Sequence, residues 1–90
     1  MPMKQTTPFT LEEDIARLNA LLPTEVMIEE FGGMLQQIHR SNATERERLL
    51  ALAMCHGYIS GLKSAELLNA ANVPDLREIV FWAELRSEPK

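Results

Sequence analysis

The stretch TERERLLALAMCHGYISGL, residues 44–62, decides how this chain is built. Thr44 stands three residues before Glu47, and Asn42 three before Glu45, so either pair can form the reciprocal capping box that opens a helix. Beyond the cap, Leu49, Leu52, His56 and Ile59 recur at helical spacing and share one face. Ala53, Gly57 and Gly61 follow one another every four residues and form a second, shallow stripe beside it. Glycine inside a helix is about 1 kcal/mol less favourable than alanine, so two of them on one face imply that something comes close. The favoured reading is a tight helix crossing within the chain, under which Gly57→Leu would overpack it. The alternative is a groove that receives a partner helix or a ligand.

Working upstream, Asn42 falls in a connecting loop, Arg40 to Ala43, that follows another apolar helix. Ile28, Phe31, Leu35 and Ile38 hold helical phase straight across Gly32 and Gly33, which predicts one helix rather than two, opened by Thr24. Gly32 and Gly33 are the expected partners of the Ala53, Gly57 and Gly61 stripe. Before Pro23, a helix carrying Leu11, Ile15, Leu18 and Leu22 is opened by Thr10 with Glu13 as its box partner. Glu12, Glu13 and Asp14 lie in its first turn, where the helix dipole favours negative charge. Residues 1–9, with Pro2 and Pro8, read as a flexible arm.

Downstream, Ser64 can cap a short helix holding Leu67 and Leu68, with Asn72, Val73 and Pro74 as its stop. Asp75 and Glu78 then form a last capping box. The helix it opens, with Ile79, Val80, Phe81, Trp82 and Leu85, is apolar almost all round, the mark of a helix that is central or shared. Residues 88–90 should fray. The expected fold is all-α: a single domain over residues 10–87, a bundle of about five helices, with the last one shared in a dimer.

Size and charge narrow the function. A chain of 90 residues buries only about 60–65% of its unfolded surface, so apolar surface is left over for a partner. The formal charge is −4, carried entirely by residues 1–35, where six acids face Lys4 and Arg17. Such a balance disfavours phosphate backbones and anionic membranes and suits basic protein surfaces. Neither a signal peptide, a membrane span nor a lipidation signal is legible, and the single cysteine, Cys55, offers neither an internal disulfide nor metal-ligand spacing. A soluble cytoplasmic protein is expected.

No catalytic, cofactor or metal site is expected. Cys55 and His56 are adjacent, so on a helix they point about 100° apart and do not form a nucleophile and base. The carboxylates at Glu12, Glu13 and Asp14, and at Glu29 and Glu30, are sequence neighbours on solvated faces rather than a pair held in a pocket. Ala53 and Gly57 could open a helix-turn-helix, yet the segment in the recognition position, Ala65 to Asn69, has no arginine or lysine. Protein recognition remains, with Ile79, Phe81, Trp82 and Leu85 as the expected interface and a homodimer as the expected assembly. The function expected is that of an adaptor, inhibitor or regulator, in the style of small bacterial, phage or plasmid accessory proteins. The alternative is a DNA-associated transcription regulator, which would require a basic face from Arg40, Arg46, Arg48 and Arg77.

Overall fold

The structure, a computed structural model, describes residues 9–40 and 42–87. The expected arm (apart from Phe9) and the frayed end at residues 88–90 lie outside the described residues. Among the described residues every regular element is helical. Helix α1 spans Leu11–Leu21, α2 Glu25–Ile38, α3 Glu45–Ser64 and α4 Val73–Ser87, with a single 3₁₀ turn at Ala70–Asn72. Among the described residues four α-helices, rather than the expected five or so, build the bundle.

Each of the first three helices begins where a threonine can accept a hydrogen bond from its first turn. Thr10 and Glu13 form a capping box, as do Thr44 and Glu47, and the Thr24 hydroxyl accepts from the Met27 amide. Asn42 caps nothing, so the register ambiguity at α3 resolves in favour of Thr44. Helix α2 is continuous across Gly32 and Gly33 and buries Phe31, Leu35 and Ile38.

The connections are short and consecutive helices run antiparallel. Tyr58 of α3 reaches Glu30 of α2, while Arg77 of α4 reaches His56 and Ser60 of α3. Helix α1 packs on α2 and α4, and α3 packs on the same two helices from the other side. One core lies between them, with Leu18, Phe31, Leu35, Cys55, Ile59, Leu76, Ile79, Val80 and Ala83 fully buried.

Two expectations for the second half are corrected. Ser64 opens no helix: it is the last residue of α3, and Ala65 to Asn69 are turn and irregular chain. The reason is a reversal built on Glu66, whose φ of 58° is left-handed. The Leu67 amide donates to the Leu62 carbonyl and the Glu66 amide to the Lys63 carbonyl, the paired bonds of a Schellman helix stop. Nor do Val73 and Pro74 end a helix; they begin α4. Proline fits there because the first amides of a helix have no intrahelical acceptor to lose, and Asn72 is drawn to the Leu21 carbonyl of α1. Asp75 therefore sits in the first turn of α4 rather than capping it.

Candidate functional site

Of the face expected to point inward on α3, Leu52 and Ile59 are buried and His56 is half-buried, whereas Leu49 is half exposed. The buried residues of the helix are Arg48, Ala51, Leu52, Cys55 and Ile59. Arg48 takes the inward place at the start of the helix. It donates from Nε to the Ser87 hydroxyl and from Nη2 to the Glu84 carbonyl, both at the end of α4, and it pairs with Glu45 on its own helix. These contacts satisfy a guanidinium that is almost fully buried, and Leu50, Ala53, Met54, Gly57 and Gly61 lie on the opposite side.

That outward face is the candidate site. Leu49, Leu50 and Met54 are 51%, 61% and 52% exposed, and Ala53, Gly57 and Gly61 are exposed between them. A Cβ placed on Gly57, Gly61 or Gly33 would meet no heavy atom within 4 Å. The expected internal crossing of the Ala53, Gly57 and Gly61 stripe with Gly32 and Gly33 is therefore not made. Only Gly32 is buried, and a Cβ there would touch Ile15 and Leu18 of α1 in ordinary van der Waals contact.

From Leu49 to Leu62, fourteen residues, α3 carries no Asp, Glu, Lys or Arg. A solvated helix face ordinarily carries charged and polar residues, so this is an unusual surface to leave in water. Helix α4 adds to it. The bonds from Arg77 to His56 and Ser60, and from Arg48 to Glu84, set an antiparallel register that brings Phe81 level with Ala53. Phe81 is 50% exposed and stands edge-on to Trp82, with ring centroids 5.0 Å apart.

The four residues of the expected α4 interface separate. Phe81 alone is outward. Ile79 is fully buried in the core of its own chain, which removes it from any surface, and Trp82 and Leu85 are half-buried. The α3 surface was legible only as the alternative to an internal crossing, a groove over Ala53, Gly57 and Gly61; Leu49 was counted inward, and Leu50 and Met54 were given no place. The signal that could have found it is the charge-free run itself.

A second cluster closes the end of the bundle where α2 and α4 finish and α3 begins. Asp14, fully buried, pairs with Arg86 at 2.8 Å and with Arg17 at 3.2 Å. Arg86 also donates to the Phe9 carbonyl and to Nε2 of His39, whose Nδ1 lies 2.9 Å from the Leu35 carbonyl. Burial, helped by Arg86, pulls the His39 pKa below its ordinary value against the opposing pull of the Leu35 carbonyl and Asp14. The ring is neutral, with the proton on Nδ1 and the lone pair on Nε2. An open cleft of about 460 Å³ lies beside it, lined by His39, Arg40, Thr44, Glu45, Arg48 and Arg86 among others. Its arginines are answered locally, Arg40 by Glu47, Arg48 by Glu45 and Arg86 by Asp14. The cluster is a structural tie between helices.

Of the four arginines that a basic face would draw on, Arg46 is exposed and without an ion pair to another described residue, and the other three have partners. Arg48 is buried, Arg40 is paired with Glu47, and Arg77 is held by His56 and Ser60. Cys55 is fully buried and its thiol pKa is pushed up to about 12 by that burial. Such a thiol is inert, because the thiolate is the nucleophile. Among the described residues no group of His, Cys, Asp and Glu could hold a metal ion, and no helix is long and apolar enough to cross a membrane.

The chain has no significant match to a known family model, to a curated protein sequence or to a solved structure.

Proposed function

We propose that this chain is a small protein-recognition module, an adaptor or regulator whose docking surface is the outward face of α3 flanked by Phe81. The observation that carries the reading is the charge-free run from Leu49 to Leu62, half of which is turned to solvent. Burying a large apolar side chain completely is worth about 1.5–3 kcal/mol. Leu49, Leu50, Met54 and Phe81, each about half exposed, thus hold several kcal/mol that only a partner can realise. Gly57 and Gly61 point the same way: each weakens the helix by about 1 kcal/mol relative to alanine with no contact inside the chain to account for it. A face of apolar side chains followed by small residues suits another helix, laid along α3 as in helix-in-groove recognition.

The test is co-purification from the native cell, comparing the wild-type chain with the pair Leu50→Glu and Met54→Glu. Both substitutions lie on exposed positions and should leave the helical circular dichroism and the melting temperature nearly unchanged. Proteins bound to the wild type should be lost from the variant. An unchanged set of bound proteins would remove α3 as the docking surface.

A further inference from the structure

We infer that the partner seated on this face is a second copy of the chain, its α3 packed antiparallel on the first about a twofold axis between Met54 and Gly57. The inference rests on the reading of α3 as a docking surface and adds the occupant. It follows from an asymmetry along the helix. The outward face is bulky in its first half, at Leu50 and Met54, and flat in its second, at Gly57 and Gly61. Such a face is self-complementary in one orientation only. Antiparallel, Leu50 comes level with Gly61 of the partner and Met54 with Gly57 of the partner. Both pairings share one midpoint, between residues 55 and 56, so a single axis satisfies them together. Each bulky side chain then fills the space over a glycine, and the reciprocal contact is made by symmetry, as in an isologous dimer. Parallel copies would set ridge on ridge and hollow on hollow.

Charge selects the same orientation. Arg46 is exposed just before the apolar run and Glu66 just after the end of α3, and neither forms an ion pair with another described residue. About the same axis, Arg46 of one copy comes level with the Ala65 and Glu66 turn of the other, on both sides of the dimer. A parallel pair would oppose Arg46 to Arg46 and Glu47 to Glu47. The length also fits: the twenty residues of α3 extend about 30 Å. Phe81 on the neighbouring helix, level with Ala53, widens that strip with a half-exposed aromatic ring.

Within one chain Arg46 and Glu66 stand at opposite ends of α3, about 30 Å apart, so any coupling between them is intermolecular. Sedimentation equilibrium of the full chain should show a reversible dimer. Arg46→Glu and Glu66→Arg should each weaken it about 3- to 10-fold, since each breaks two exposed pairs and creates repulsion, and the double variant should recover the wild-type constant. A chain that stays monomeric up to millimolar concentration, or a double variant no better than the singles, overturns the inference. Photo-crosslinking in the native cell from benzoylphenylalanine placed at Leu49 separates the two claims. A product between two copies supports the dimer. A product only with a different protein overturns the dimer and leaves the docking surface standing, and the absence of any protein product overturns both.

Discussion

Gly57 is where sequence and structure pull hardest against each other. Its spacing with Ala53 and Gly61 suggests a crowded crossing, yet a Cβ there would enter open space. Gly57→Ala should therefore stabilise the single chain, by about 0.5–1 kcal/mol, through helix propensity alone. A urea titration at concentrations too low for association measures this, and a loss of stability would mean that the position is enclosed after all. The same substitution should weaken association, because a methyl group then occupies part of the space that Met54 of the other copy fills. The two measurements together would separate a role for this glycine between molecules from one within the chain.

At the level of elements, the helix starts were legible because capping is local: Thr10 with Glu13, Thr24, and Thr44 with Glu47 all act within one turn of chain. The continuity of α2 was legible for the same reason, since Phe31, Leu35 and Ile38 keep phase through the glycines. The exchange of Leu49 for Arg48 at an inward place was not, because Arg48 is held there by bonds to Ser87 and Glu84 almost forty residues away. The stop after α3 was hidden differently. A Schellman turn prefers glycine at its left-handed residue, and this one uses Glu66. A non-glycine residue in that conformation costs roughly 1–2 kcal/mol. Glu66→Gly should recover part of this and raise the thermal midpoint by a few degrees, read by circular dichroism. A lower midpoint would show that the turn does not depend on that conformation. As for the candidate site, only its small residues and Phe81 were foreseen, and they were assigned to different roles. Ile79 and Trp82 were expected at a surface because an aromatic-rich helix gives no sign of which side its neighbours will cover.

For the whole molecule, the buried tie of Asp14, Arg86 and His39 makes stability depend on pH. The His39 pKa is lowered in the folded chain, so below the ordinary histidine value of about 6.5 the unfolded chain takes up a proton that the folded one does not. Stability is then lost as the pH falls below about 6.5 and on towards the lowered folded value, and none of this effect remains above 7. Protonation would turn Nε2 from an acceptor into a donor facing Arg86, beside Asp14 and within the field of Glu12. Glu47, whose carboxyl is held below its usual range chiefly by the Thr44 backbone amide, acts only at lower pH. His39→Gln, which can still accept from Arg86 and donate to Leu35, should flatten the melting temperature across pH 5–7 relative to wild type; an equally steep profile in the variant would assign the dependence elsewhere. The same end of the bundle has a practical consequence. Phe9 is stapled to it, its ring beneath the Arg17 guanidinium and its carbonyl bonded to Arg86. Losing the Arg86 side chain would therefore release two things at once, the residue that precedes α1 and the buried carboxylate of Asp14.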